Sequence, residues 1–237
     1  MTRAAIFKAV RDARGRGFTD AEVPILDVVL DRLGVPKDGG RRSISDVGAF
    51  WQGVRGVAGA LDQVQVTTIN AMLAKAAHWP MSWMAYGLAT AWHEARLRPI
   101  REHGGRVYLD KYDTGKLAAA LGNTPEDDDD GILYAGRGLV QLTGRRNYKT
   151  CGDFLKLDLI AKPDLALEPE HAVAILVWGM EGGKFTGKKL ADYLPGPRGT
   201  LREFENSRRI INGTDKAELI AAHALRFQDA LSAGGWA

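Results

Sequence analysis

The spacing of apolar residues along the 237-residue chain predicts a mainly helical protein. Apolar side chains recur at helical intervals, and the alternation typical of strands is scarce. Pro80 and Pro169 fall at first-turn positions, and Gly182-Gly183 closes the helix before it. The pattern predicts ten helices, over residues 3–13, 20–33, 45–57, 63–76, 81–97, 114–121, 145–156, 169–181, 201–210 and 215–232.

A loop rich in Pro, Gly and basic residues, 36–42, divides this pattern into two parts. We therefore predict an N-terminal helical hairpin, residues 1–42, and a main domain, residues 43–237. The hairpin also resembles the start of the main domain, which indicates an internal repeat. The similar stretches are 5–11 with 49–55 and 23–30 with 66–73.

The apolar segment 81–97 ends in residues capable of chemistry. It is apolar on nearly all faces until His93 and Glu94, which predicts a largely buried helix. Burial and the negative end of the helix dipole both disfavour a charged carboxylate there. Both effects favour the protonated form that a general acid near neutral pH requires. The structural alternative is a salt bridge from Glu94 to one of three nearby arginines, Arg96, Arg98 or Arg101.

His93-Glu94 also begins the zinc-protease pattern, which requires a second His four residues after the first. Leu97 occupies that position, so this pattern is excluded.

A second carboxylate, Glu102, follows Glu94 by eight positions. Pro99 lies between them and must end or kink the helix, so the two carboxylates do not share a helix face. Glu102 lies on a glycine-rich turn that could fold back across a groove. Two separated carboxylates suit an inverting glycosidase, in which one protonates the leaving oxygen and the other activates water.

The segment 134–148 combines a permissive backbone with side chains that can bind sugars. Gly136 and Gly138 allow conformations that other residues resist, and we expect Arg137 between them to be held by a buried carboxylate. Amides and a hydroxyl, which hydrogen-bond to sugar hydroxyls and acetamides, follow at Gln141, Thr143 and Asn147.

This segment resembles the Tyr-x-Gly-Arg-Gly-x-x-Gln-Leu-Thr signature of glycoside hydrolase family 19, which contains chitinases and phage lysozymes. The Ala-Trp-His-Glu stretch at 91–94 resembles the family's catalytic His-Glu segment. Residues 157–167 and 208–213 are similar to its Pro-Asp-Leu-Ala and Ile-Asn-Gly segments, and 178–190 looks like phage endolysins. The resemblance covers about residues 63–232.

The resemblance implies a two-lobed, lysozyme-like helical domain with a central cleft, preceded by a small helical extension. It implies inverting hydrolysis of a β-1,4 glycosidic bond without a metal or cofactor, with Glu94 as general acid and Glu102 as general base. Thr143 matches the Ser/Thr that positions the attacking water. The residues that match substrate-binding positions of the family are His93, Tyr134, Arg137, Gln141, Asn147 and Asn212.

Two points depart from the family pattern. Asp110 and Glu126 compete with Glu102 as the second acid, because the spacing to that acid varies within the family. The family often has an Arg after its Asn-Gly pair that reaches the cleft, whereas here the next one is Arg226.

We therefore interpret the chain as a phage endolysin that cleaves peptidoglycan between MurNAc and GlcNAc. A chitinase acting on β-1,4 GlcNAc polymers is the alternative with the same chemistry. A non-catalytic wall-binding or virion structural protein is the alternative of another class, and the joint presence of Glu94, Gln141 and Thr143 argues against it.

Composition agrees with the first interpretation. The single cysteine, Cys151, excludes an intrachain disulfide and is expected to be a buried structural residue. A formal net charge of +3 helps approach to an anionic wall polymer. No basic and aromatic pattern supports nucleic-acid binding.

We expect synthesis in the bacterial cytoplasm and action on the periplasmic wall, because residues 4–11 are amphipathic and basic rather than a signal peptide. Access to peptidoglycan strands would then depend on a separate membrane-permeabilising protein, and a monomer is expected. The hairpin 1–42 is either a wall-binding module or an extension that completes the core, and we favour the extension. The acidic run 126–130 predicts a solvated loop rather than a calcium site.

Overall fold

A computed structural model describes residues 3–19, 21–33, 35, 41–124 and 126–237. Within these ranges it contains twelve α-helices and one pair of very short strands. The prediction of a mainly α fold is confirmed, and all ten predicted helices are present with ends shifted by a few residues. No helix in the described ranges is both long and apolar enough to cross a bilayer.

The elements follow in chain order, with four 3₁₀ turns between the helices. The helices are α1 (Arg3–Arg14), α2 (Glu22–Arg32), α3 (Val47–Ala58), α4 (Gln63–Lys75), α5 (Met81–Ala95), α6 (Arg106–Leu109), α7 (Gly115–Leu121), α8 (Asp130–Leu133), α9 (Arg145–Leu155), α10 (Pro169–Gly182), α11 (Leu201–Ser207) and α12 (Ala217–Ala233). The strands are β1 (Ile100–Arg101) and β2 (Arg137–Gly138), and the 3₁₀ turns are Asp110–Tyr112, Pro163–Leu167, Leu190–Asp192 and Arg208–Ile210.

Helix α5 forms the centre of the main hydrophobic core. Its residues are buried on almost every side, as its continuous apolar sequence predicts. Helix α12 packs on α5, α3 and α11, while α10 packs on α4. Gly87 allows the close approach of Trp79, because a Cβ at position 87 would lie 2.8 Å from the indole ring.

The C-terminal end of α5 places Glu94 in the last turn of a rigid helix. Arg96 and Leu97 adopt the left-handed conformation, and Leu97 N donates to Ala91 O at 2.9 Å, which closes the helix. The helix therefore ends at Ala95, before Pro99 is reached. Gln65 fixes this end from outside, because its Nε2 donates to Arg96 O at 2.8 Å.

A second hydrophobic cluster is built around the 134–148 segment. Helix α10 connects the two clusters, since Leu176 contributes to the main core and Ile175 to the smaller one. Two clusters agree with the expected two lobes. The buried members of the smaller cluster are Tyr134, Leu142, Tyr148, Cys151, Leu159, Ala166 and Ile175.

The N-terminal helices α1 and α2 contact each other. Arg3 joins them, because its Nη1 donates to Asp27 Oδ1 at 2.6 Å. No described residue of 3–35 belongs to either hydrophobic cluster, which argues against our expectation that the hairpin completes the core. Most of the predicted boundary loop lies outside the described residues.

The α3–α12 contact provides a test of the packing. A Cβ on Gly53 would lie 2.6 Å from Ala230 Cβ, whereas a Cβ on Gly56, one turn later on α3, meets nothing within 4 Å. We expect Gly53→Ala to lower the free energy of unfolding by about 1–3 kcal/mol, because the helices must separate. Gly56→Ala should raise it by about 0.5–1 kcal/mol through helix propensity. Urea denaturation followed by circular dichroism measures both, and equal effects would contradict this packing.

Candidate active site

A two-stranded antiparallel pairing places Glu102 in the candidate site. Ile100 pairs with Gly138 and Arg101 with Arg137. The pairing extends one residue further, because Glu102 N donates to Gly136 O at 2.7 Å. This register sets the Glu102 side chain against the backbone of Gly136, and Gly136 N donates to Glu102 Oε2 at 3.1 Å.

The residues after Gly136 form a tight hairpin that turns two further side chains toward Glu102. Arg137 and Leu142 exchange backbone hydrogen bonds of 3.1 and 2.8 Å. Gln141 completes the turn in the left-handed conformation, at φ 53°. The next polar side chain, Thr143, donates its hydroxyl proton to Gln141 O at 2.9 Å.

Three side-chain oxygens consequently face one side of Gly136. A Cβ at that position would lie 2.6 Å from Gln141 Oε1, 3.1 Å from Glu102 Oε2 and 3.2 Å from Thr143 Oγ1. Only glycine leaves this side of the backbone free for the three oxygens. The structure thus brings together three predicted site residues, Glu102, Gln141 and Thr143.

Glu94 lies at the other end of the connection between α5 and β1. Its Oε1 accepts from Arg208 Nη1 at 2.5 Å, and Arg208 is almost fully buried at 2% exposure. Arg208 Nε in turn donates to Asp215 O at 2.8 Å. Arg208 thus takes the place of the three nearer arginines that were expected as salt-bridge partners. The one sequence signal for Arg208 was its place in the 208–213 segment.

Tyr134 and Arg137 support the site from inside. Each is 2% exposed, and Arg137 donates to Leu133 O, Ala135 O and the Tyr148 hydroxyl at 2.9–3.0 Å. Direct contact of Tyr134 and Arg137 with a substrate stays a prediction. The burial of both side chains does not favour it.

The carboxylate that pairs with Arg137 is not buried, contrary to the prediction. Its Nε bonds to Asp164 at 2.7 Å, but Asp164 is 69% exposed rather than buried. The carbonyls around the guanidinium replace the buried carboxylate that we expected, since they satisfy its donors.

The other predicted contacts lie nearer the surface. Asn147 is exposed and its Nδ2 donates to Thr143 O at 2.7 Å, which ties the first turn of α9 to the segment before it. Asn212 is exposed in the turn that follows Arg208. His93 is half-buried beside Glu94, and burial lowers its pKa, which Glu94 partly offsets.

Two neighbours of Glu102 were not predicted. Tyr112 donates its hydroxyl to Glu102 Oε1 at 3.1 Å, and Lys111 Nζ lies 3.9 Å from the same oxygen. Both belong to a 3₁₀ turn too short to leave a periodic pattern. The competing acids Asp110 and Glu126 are exposed, and no described hydrogen bond joins them to this cluster.

The acidic run is only partly solvated. Residues 126–129 are exposed, but Asp130 is 2% exposed and accepts from Thr124 N at 3.0 Å. The prediction of a wholly solvated loop is therefore wrong for Asp130, because the backbone and hydroxyl of Thr124 donate to its carboxylate and Arg145 pairs with it at 3.5 Å. Cys151 is buried as predicted, and burial raises the pKa of its thiol to about 11.

Comparison with known proteins gives weak structural similarities. No protein-family model and no curated protein matches the chain. Chitinase C from Streptomyces griseus is 17% identical, with a TM-score of 0.45, over 84% of this chain and 73% of that one. A bacterial family 19 chitinase is 19% identical, with a TM-score of 0.40, over 77% of this chain and 83% of that one. Similarities at this level carry no argument about activity.

Two histidines near Glu94 should make stability depend on pH. Burial is the main cause that lowers the pKa of both His93 and His223, and Arg96 acts in the same direction on each. His223 Nδ1 is buried with no hydrogen-bond partner among the described residues. The unfolded chain therefore binds protons more readily than the folded one near the ordinary histidine pKa.

We expect the free energy of unfolding to be largest above pH ~6.5 and to fall as the pH drops below it, because the two imidazoles must then be charged. His223→Asn should reduce this slope, since one of the two groups is gone. Urea denaturation between about pH 5 and pH 7.5 measures it, with the exposed His103→Asn as the matched control. An unchanged slope in His223→Asn would contradict the assignment.

Proposed function

We propose that this chain is a glycoside hydrolase that cleaves the β-1,4 bonds of peptidoglycan with inversion, Glu94 being the general acid and Glu102 the general base. The observation that carries the proposal is the convergence of Glu102 Oε2, Thr143 Oγ1 and Gln141 Oε1 on one side of Gly136. Such a group of acceptors suits the binding of a water molecule that is about to lose a proton.

The direction of the Thr143 hydrogen bond supports its role with water. The hydroxyl proton is used in the bond to Gln141 O, so Thr143 Oγ1 can only accept from a neighbouring water. A water between Glu102 and Thr143 would donate one proton to each of them. A lone pair on the water oxygen is then free to attack the anomeric carbon while Glu102 takes up the proton that it accepts from this water.

The contact with Arg208 fixes the orientation of Glu94, while its role as acid rests on the resemblance of 91–94 to the family's His-Glu segment. Arg208 binds Oε1 at 2.5 Å, and we assign the transferable proton to Oε2. A charge-assisted hydrogen bond to a buried guanidinium fixes the orientation of the carboxyl group. Glu94 can then present its proton to the leaving oxygen from the end of the rigid helix α5.

The choice of peptidoglycan rests on the sequence. The segment 178–190 looks like phage endolysins, and one cysteine among 237 residues allows no intrachain disulfide. We include in the proposal a bond between MurNAc and GlcNAc as the target, synthesis in a bacterial host, and a separate membrane-permeabilising protein for access to the periplasm. His93, Asn147 and Asn212 remain the proposed sugar contacts.

Substitution of either carboxylate should abolish lysis while the fold is retained. We expect Glu94→Gln and Glu102→Gln each to lower kcat about 10²–10⁴-fold, the range of general acid–base catalysis. The assay is the clearing of outer-membrane-permeabilised Gram-negative cells, with the exposed Glu170→Gln on α10 as the matched control.

Mass spectrometry of digested peptidoglycan then identifies the bond from the new reducing-end sugar. Hydrolysis of chitin oligomers but not of peptidoglycan would show the chain to be a chitinase. Full activity of Glu94→Gln would exclude the assigned mechanism, and an inactive wild-type chain would favour a binding protein.

The space beside Gly136 gives an independent test. A Cβ there lies within 3.2 Å of three oxygens, so Gly136→Ala should lower kcat at least about tenfold by displacing them, because misplaced reacting groups are costly. Gly105→Ala is the control, since a Cβ at Gly105 meets nothing within 4 Å. Equal activity of both variants would contradict a water site at Gly136.

A further inference from the structure

The two oxygens of Glu102 have different surroundings. Oε2 accepts from Gly136 N at 3.1 Å and faces Thr143. Oε1 accepts from the Tyr112 hydroxyl at 3.1 Å, and Lys111 Nζ lies 3.9 Å away. One oxygen is thus turned toward the proposed water, while the other is held by the 3₁₀ turn Asp110–Tyr112.

Tyr112 and the water-binding threonine are tied to the same side chain. Asn123 Nδ2 donates to Tyr112 O at 2.7 Å, and Asn123 Oδ1 accepts from Arg145 N at 2.8 Å, two residues beyond Thr143. Asn123 is buried. The amide of Asn123 therefore joins the turn that contacts Oε1 of Glu102 to the segment that faces Oε2.

The acidic run fixes the same turn from its other side. Asp113, which follows Tyr112, is buried and accepts from Gly131 N at 2.8 Å and Asp129 N at 3.2 Å. The turn is thereby anchored to the start of α8. The acidic segment acquires a structural role that its composition did not indicate.

Lys111 is held in place by aromatic rings. Its Nζ lies 3.4 Å from the centroid of the Tyr108 ring and 4.5 Å from that of Tyr112. The Tyr108 ring also packs on Gly104, where a Cβ would collide with it. The ring therefore lies between the glycine-rich turn after Glu102 and the Lys111 cation near the carboxylate.

We propose that Tyr112 and Lys111 are positioning residues of the general base, which orient the Glu102 carboxylate so that Oε2 faces Thr143. This inference rests on the proposed function. The groups that face Glu102 are Tyr112 and Lys111 from the 3₁₀ turn, and Gly136 N, Gln141 and Thr143 from the hairpin. Neither Tyr112 nor Lys111 is assigned a contact with substrate.

Loss of Tyr112 or Lys111 should reduce turnover without reducing substrate binding. We expect Tyr112→Phe to lower kcat about tenfold with KM unchanged, the usual cost of a lost hydrogen bond to a charged group. Lys111→Met should likewise lower kcat with KM unchanged, because the cation near Glu102 Oε1 is gone. Lys111→Arg should restore the wild-type kcat.

The matched controls are residues of the same types away from the site. Tyr193 follows the 3₁₀ turn Leu190–Asp192, and Lys149 is an exposed residue of α9 that pairs with Asp153. Tyr193→Phe and Lys149→Met should leave kcat at wild-type values. Thermal unfolding of all variants separates loss of fold from loss of orientation.

A titration without substrate tests the contact itself. Burial raises the pKa of Tyr112, Lys111 lowers it, and the charge of Glu102 raises it. In the chain labelled with ¹³C at the tyrosine hydroxyl carbon, Glu102→Gln should therefore lower the pKa of Tyr112. Tyr112→Phe identifies the signal by its disappearance.

Wild-type kcat values in folded Tyr112→Phe and Lys111→Met would overturn the positioning role while the proposed function stands. An unchanged Tyr112 titration in Glu102→Gln would overturn the contact on which that role depends. An inactive wild-type chain would instead overturn the proposed function, and this inference with it.

Discussion

The hydrogen bond from Glu102 N to Gly136 O, 2.7 Å long, joins the two halves of the candidate site. It connects the chain leaving α5 with the hairpin that carries Gln141 and Thr143. A pairing of only two residues per strand is not stable by itself. The buried guanidinium of Arg137 stabilises it, because it donates to the carbonyls of Leu133 and Ala135 and to the Tyr148 hydroxyl. The geometry of the proposed base thus depends on a buried arginine that needs no contact with substrate.

The arrangement around Gly136 costs stability, because it gathers oxygen acceptors on one side of the backbone. Among the described residues, fewer hydrogen-bond donors than acceptors face this space, and the side chain of Glu102 is 18% exposed. Gly136 N donates to Oε2 of Glu102 and the Tyr112 hydroxyl donates to Oε1, while Lys111 supplies a positive charge near Oε1. The side of Oε2 that faces Thr143 receives no described donor. An acceptor-rich space with a fixed carboxylate is what proton abstraction from water requires, and functional sites are where such local conflicts are retained.

Sequence reasoning predicted the helices and the principal carboxylates but missed the side chains that hold them. Long helices such as α5 and α12 carry a periodic signal, whereas the four-residue helices α6 and α8 do not. Gln141 and Thr143 lie in a stretch with a recognisable motif, whereas Glu102 was indicated only by its glycine-rich turn. Arg208 bonds to Glu94 across 114 positions, and Tyr112 bonds to Glu102 from a 3₁₀ turn. Neither contact follows a helix or strand period, because each is set by how two separate segments pack.

The two proposed catalytic groups rest on different kinds of structure, and this has a mechanical consequence. Glu94 lies in the last turn of a helix buried in the main core, and its partner Arg208 is buried too. Movement of the acid therefore requires disturbance of the core. Glu102 lies on a two-residue strand, and the segments that orient it are short turns joined by Asn123 and Asp113. Because local stability varies across a protein with the amount of buried apolar surface, the base side should adjust at a lower free-energy cost than the acid side. Substitutions near Glu94 should then couple activity to folding, while substitutions around Glu102 should change activity with little effect on the fold.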